Sequence, residues 1–171
     1  KYGVRDPQGR LSPERLTEIA AHEQVKMFEI KLSQGAKPGK GGVLPGSKVN
    51  AEIARIRAIP EGEDSFSPNR HPEVSTPQDL LDLIEQVRSI SGKPVGIKAV
   101  IGDRRWLEEF FTAILNRGAH SAPDFISVDG AEGGTGAAPA SLIDFMGLPL
   151  RESLPLVVDL LNKFGLRQRV R

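Results

Sequence analysis

Two lysines set among alternating apolar residues, and two glycine-rich stretches, are the parts of this 171-residue chain best suited to chemistry. Lys31 lies in residues 25–33 (VKMFEIKLS), where Phe28, Ile30 and Leu32 share one side and Glu29, Lys31 and Ser33 the other. Lys98 lies in 94–101 (PVGIKAVI), with Val95, Ile97, Ala99 and Ile101 opposite it. A third such stretch, 124–129, puts Ile126 and Val128 against Phe125, Ser127 and Asp129. An ammonium on a covered face is expensive unless it meets an anion or a carboxylate. The two lysines therefore point to an anionic ligand or to a structural partner such as Glu29. A desolvated lysine could instead form a Schiff base with a carbonyl. A lysine on an outward face of an edge strand would do none of these.

Nine of the 18 glycines fall in residues 34–46 (QGAKPGKGGVLPG) and 129–139 (DGAEGGTGAAP). Glycine gathers where backbone must turn tightly or approach another group closely. The first loop follows Gln34 and carries Lys37 and Lys40, and Arg57 comes one helix later. Arginine as a bidentate donor and lysine as a point charge suit a dicarboxylate. In the second loop the amides of Gly133, Gly134, Thr135 and Gly136 could line a planar ring or receive an anion. Neither loop is a nucleotide motif. The Walker pattern fails because Ser47-Lys48 stands in inverted order, and 134–139 has Pro139 where a dinucleotide fingerprint needs its third glycine. His22, His71 and His120 share no spacing and are expected at the surface, as is the acidic run Glu61, Glu63 and Asp64.

The elements that must position these residues alternate between helix and strand. Ser12-Pro13 opens a helix that runs to about His22, residues 47–57 read as a second, and 58–75 as a long connection. Thr76 caps a helix with Leu80, Leu81, Ile84 and Val87 on one stripe, and Asp103 another with Trp106, Phe110 and Ile114. Leu154, Val157, Val158, Leu161 and Phe164 mark a further helix that Gly165 ends, and 167–171 reads as the lead-in to a strand. Residues 2–10 read as extended or as a hairpin, with turn signals at Asp6-Pro7 and Gly9. Strands separated by such helices imply βαβ units, hence an α/β fold with a parallel sheet. Apolar faces under the helices and polar faces inside a barrel satisfy all three strands, with the chemistry at their C-terminal ends.

Composition narrows the class further. With 39% hydrophobic and 26% charged residues the chain is an ordinary globular one. No cysteine is present, which excludes disulfides, thiolate zinc sites and a thiol nucleophile within these residues. A net charge of +1 gives no sign of a nucleic-acid partner. No apolar run approaches the roughly 18 residues of a membrane span, and a cytoplasmic location is expected.

Residues 30–46 (IKLSQGAKPGKGGVLPG), with Lys48-Val49 and Ile53-Ala54 leading to Arg57, closely resemble the FMN-binding synthase domain of the glutamate synthase family. Residues 129–139, Gly147-Leu148-Pro149 and 166–171 (LRQRVR) resemble the same domain, so the resemblance covers essentially the whole chain. It implies a (β/α)8 TIM barrel binding FMN, in which 2-oxoglutarate and ammonia, free or derived from glutamine, form 2-iminoglutarate that is reduced to L-glutamate. Carried over, Gln34, Lys37 and Arg57 hold the carboxylates of 2-oxoglutarate, with Lys31, Gln34 and Lys37 at the reacting end. Lys31 and Lys98 sit near the flavin, and Asp129 with Gly133, Gly134, Thr135 and Gly136 line its pocket. Val43 stands where the large glutamate synthases usually carry glutamine, which is similar to the shorter, glutamate-synthase-like branch. The resemblance names no electron donor. It leaves room for a 3Fe–4S cluster in the full-length protein, for which this chain carries no ligands; no metal site is expected here. A complete barrel typically takes about 250 residues, so 1–171 is expected to be an internal fragment of one such domain, completed by the remainder of the barrel. The rivals are a flavin-free barrel with a Schiff-base lysine and an inactive scaffold segment.

Overall fold

Each helix begins where the sequence supplies an oxygen for its first free amides. In the computed structural model, which describes residues 3–6, 8–35, 37, 41–132, 138–142 and 145–171, α1 (Pro13–Ala20) starts behind Ser12, whose side chain accepts from the Arg15 amide at 3.3 Å. Helix α2 (Ala51–Arg57) starts behind Asn50, which accepts from the Ile53 amide at 2.9 Å. Before α3 (Pro77–Ser91), Thr76 accepts from the Asp79 amide while Asp79 accepts from the amide of Thr76, a reciprocal capping box. Asp103 caps α4 (Arg104–Arg117). The first amide of α5 (Leu150–Lys163) is taken by the distant carboxylate of Glu132 at 2.9 Å.

The three expected strands form, each shorter than its alternating stretch. Strand β1 (Phe28–Lys31) pairs in parallel with β4 (Val95–Val100), and β4 with β5 (Ile126–Asp129). Between them, β2 (Val43–Leu44) and β3 (Ser65–Phe66) make a small antiparallel ribbon, so the 58–75 connection is not all loop. Its two-residue strands carry no periodic signal. Residues 47–57 are not one helix either: a 3-10 turn at Gly46–Lys48 precedes α2, because Asn50 caps a fresh start. Leu154, expected on a buried stripe, is exposed, and so is Ile56 on α2. A bridge between Arg5 and Leu11 closes the N-terminal hairpin. At the other end Arg171 donates to the Asp124 carbonyl at 3.0 Å and accepts from the Ile126 amide at 2.9 Å. The last residue thus lies along the outer edge of β5, where the lead-in to a strand was expected.

One face of the sheet carries Ile30, Val95, Ile97 and Ala99, all buried against Leu80, Ile84 and Val87 of α3, Phe110 and Ile114 of α4 and Leu160 of α5. Fully burying side chains of this size contributes about 1.5–3 kcal/mol each. Helix α1 packs on α3, α3 on α4 and α4 on α5. The helices therefore follow one another along a single face, as in an arc of a (β/α) barrel, whereas a doubly wound sheet would divide them between two faces. The chain is α/β, with parallel strands alternating with helices. No helix among the described residues is long and apolar enough to cross a membrane.

Asp124 ties the N-terminal ends of β4 and β5 to the helices. Its Oδ2 accepts from the Val95 amide at 2.8 Å and from Arg88 at 3.2 Å, and its Oδ1 pairs with Arg169 at 2.9 Å. Partial burial alone would raise its pKa, but the Val95 amide and the guanidinium groups outweigh that, and the carboxyl titrates below its ordinary value. A depressed carboxyl pKa stabilises the fold above the unfolded value of about 3.9, and that contribution is lost as the pH falls through the native value. Asp124→Asn should therefore lower stability at neutral pH by about 2 kcal/mol. Urea unfolding across a pH series should show the gap to wild type closing as the native carboxyl protonates.

Candidate active site

The face of the sheet away from the helices is polar, and the parallel register stacks its residues in layers. Lowest is Phe125, whose ring crosses Gly96: a Cβ built on Gly96 would lie 2.3 Å from it. The central strand has no side chain there, and the Phe125 ring takes the space. Glu29 is level with Gly96, and its carboxylate accepts from the hydroxyl of Ser127 on β5.

The next layer carries the cations. Lys31, the last residue of β1, is paired in register with Lys98 in the C-terminal half of β4, side by side. Like charges so placed need separate partners, and they have them. Lys98 Nζ lies 3.4 Å from Asp129 Oδ1, with both side chains about a third exposed. Lys31 Nζ donates to the amide oxygen of Gln34. The second oxygen of Asp129 accepts from the Gly35 amide at 2.8 Å, which docks the start of the first glycine loop on the end of β5. Ser33, between them, accepts from the Val100 amide at 2.8 Å. Residues 31–35 are thereby fixed to β4 and, through Asp129, to β5.

The structure brings four of the expected site residues together: Lys31, Gln34, Lys98 and Asp129. Lys37 is half-buried, its Nζ folded back over the loop toward Gly42. Arg57 ends α2 and lines a separate cleft of about 190 Å3 with Arg5, Ser65, Phe66, Arg70 and His71. Gly133, Gly134, Thr135, Gly136 and Lys40 lie outside the described residues. A larger hollow of about 430 Å3 opens between the ends of β1 and β4 and helices α3 and α4, lined by Ser33, Arg70, His71 and Trp106 among others. Neither strand lysine lines it, so the cations face the open side of the sheet.

Two participants were not legible in the sequence. Gly35 carries the contact to Asp129, and its only signal is membership of a glycine-rich loop. His71 is a correction: expected at the surface, it is 6% exposed, while His22 and His120 are exposed as expected. It bonds to Arg5 through Nδ1 and to the Lys31 carbonyl through Nε2 at 2.9 Å. Burial pushes its pKa below the ordinary value, and the Lys31 carbonyl opposes that in part. Both partners are distant in sequence, so no local pattern announces the role.

Comparison with known proteins covers almost the whole chain. The family profile described as a conserved region in glutamate synthase matches residues 8–171. The glutamate synthase large subunit-like protein YerD of Bacillus subtilis is 45% identical over 170 residues, which are 99% of this chain and 32% of that protein. The archaeal glutamate synthase [NADPH] of Methanocaldococcus jannaschii is 37% identical over 154 residues, 84% of this chain and 27% of that protein. The chloroplastic ferredoxin-dependent glutamate synthase of Spinacia oleracea is 40% identical over 144 residues, 84% of this chain and 8% of that protein. The chain thus spans about a third of the first of these relatives and less of the others.

Proposed function

The chain belongs to the glutamate synthase family, and from that premise we propose that its polar sheet face is part of an FMN site at which 2-iminoglutarate, formed from 2-oxoglutarate and ammonia, is reduced to L-glutamate. The observation that carries this is the register pairing of Lys31 with Lys98 on adjacent strands, beside Gln34 and Asp129. That donor set fits a flavin. Two ammonium groups at the rim of a parallel sheet suit the N1/C2=O edge, where negative charge gathers on reduction. When bound, FMN supplies the hydride that reduces the imine.

The chain's own groups do the holding. Lys98 presents its ammonium from the central strand with Asp129 as counter-ion, and Lys31 does so from β1. Gln34 stands at the entrance of the loop, oriented by Lys31, with an amide nitrogen left to donate to a substrate carboxylate. Lys37 follows as a point charge and Arg57 as a bidentate donor, so the two carboxylates of 2-oxoglutarate would be held at separate places. The loop 133–136 would line the pocket from the β5 side. The Schiff-base alternative needs a lysine in apolar surroundings, whereas Lys98 faces a carboxylate and Lys31 is exposed. The remaining strands of the barrel, the electron donor and the source of ammonia belong to the full-length protein. The relatives' names carry two donors, NADPH and ferredoxin, so membership of the family does not choose between them.

The full-length protein should bind FMN stoichiometrically, with flavin absorbance near about 450 nm. Lys37→Met and Arg57→Met should each raise KM for 2-oxoglutarate by about 10- to 100-fold, the equivalent of one charge-assisted hydrogen bond. Their flavin content should stay unchanged. Failure to bind FMN would end this reading, and unchanged KM in both variants would remove those two residues from it.

A further inference from the structure

The end of β1 is held by a residue that the reaction itself does not use. Phe28 and Leu32 donate their amides to the Pro94 and Lys98 carbonyls of the β4 segment at 2.9 and 2.8 Å. In a parallel ladder of period two, the backbone groups of residues 29 and 31 then point to the other edge. At that edge the carbonyl of Lys31 meets His71 Nε2 at 2.9 Å. A carbonyl can only accept, so Nε2 carries the proton. A guanidinium can only donate, so Nδ1 accepts from Arg5. The two neighbours together define one neutral tautomer. Arg5 is held in turn by Glu73, whose Oε1 also accepts from the Leu11 amide at 2.7 Å. The N-terminal hairpin, the 58–75 connection and β1 meet at this one imidazole.

We propose that His71 is a positioning residue for the substrate and cofactor site: by donating to the Lys31 carbonyl it holds the C-terminal end of β1 and sets the direction in which Lys31 and Gln34 leave the sheet. Residues 31–35 are then held by His71 at Lys31, by the Lys98 carbonyl at Leu32, by the Val100 amide at Ser33 and by Asp129 at Gly35. The others all act beyond Lys31, so without the first the peptide of Lys31 loses its own anchor and the bond from Lys31 to Gln34 has a looser base. The local effect on β1 stands on geometry alone; its consequence for substrate rests on the function proposed above.

Two polar replacements separate the two bonds of the ring. His71→Gln is long enough to donate to the Lys31 carbonyl and accept from Arg5. His71→Asn keeps an acceptor near the Nδ1 position but is too short to reach the carbonyl. In the full-length protein, amide hydrogen exchange of peptides covering residues 29–35 should be about tenfold faster in His71→Asn than in wild type. Peptides of α4 serve as the internal reference for global loosening, and His71→Gln should restore protection to within about threefold. KM for 2-oxoglutarate should follow the same order, rising about tenfold in His71→Asn. A merely structural role would lower the amount of active enzyme and leave KM alone. Equal exchange in 29–35 for wild type and His71→Asn, or equal loss in both variants, overturns the proposal. Loosened exchange with unchanged KM would instead count against Lys31 and Gln34 as site residues. If neither variant folds, selective 15N-histidine NMR of the wild-type protein decides: the Nε2–H tautomer at neutral pH is expected, and an imidazolium or an Nδ1–H tautomer overturns it.

Discussion

For the reaction proposed above, Gly35→Ala in the full-length protein should cut turnover by about 100-fold or more, because misplacing a site by about 1 Å costs that much. A Cβ on residue 35 would lie 2.0 Å from the carbonyl oxygen of Gly130. Both sides of that collision are backbone, so no flexible side chain can yield. Gly35 has no left-handed φ, and the demand is for space alone. One of the two loops must therefore withdraw, and the Gly35 amide leaves Asp129 Oδ2. Asp129 then loses the contact that orients it toward Lys98, so one methyl group disturbs the first glycine loop and the cation layer together. The same overpacking should lower stability by about 1–3 kcal/mol. Steady-state kinetics with flavin content, beside a urea melt, reads both effects. Turnover within threefold of wild type would show that the two loops do not need their close approach.

That coupling marks where the sequence stops being informative. The alternating stretches fixed the faces of β1, β4 and β5, and Ser12, Thr76 and Asp103 announced their helices, because caps and periods are local properties. Lys31 and Lys98 were legible for the same reason, as charges on the wrong side of an apolar alternation. Their pairing with each other was not, since the register between β1 and β4 is set by packing across some 67 positions of chain. The Glu29–Ser127 bond has the same character: it joins β1 to β5 across the central strand, whereas Glu29 alone reads as the partner of a lysine. Phe125 is an apolar residue on a largely polar face because its ring lies on Gly96, a contact made across strands. His71 fails the local test altogether, being a loop histidine between prolines whose burial is created by Arg5 and the end of β1. The ribbon of β2 and β3 is too short for any period to show.

At the proposed FMN site, opposite charge changes in the Lys98–Asp129 pair should move the flavin's reduction potential in opposite directions. Reduction places negative charge at the N1/C2=O edge, so an ammonium nearby stabilises the reduced form and raises the potential. Lys98→Met removes that ammonium and should lower the two-electron potential by about 30–60 mV, with about 30 mV for each tenfold change in the equilibrium constant. Asp129→Asn removes the counter-ion 3.4 Å from Nζ and should raise it by a similar amount. The asparagine keeps an oxygen for the Gly35 amide, so this variant changes charge while the loop stays docked. Both side chains are about a third exposed, and solvent screening holds the shifts to this range, well short of what a dry site would give. Potentiometric titration of the full-length protein distinguishes the alternatives. Shifts of the same sign in both variants would indicate a distorted pocket, and no shift in either would place the flavin away from Lys98. Opposite signs would follow only from a flavin that senses this ion pair through its charge.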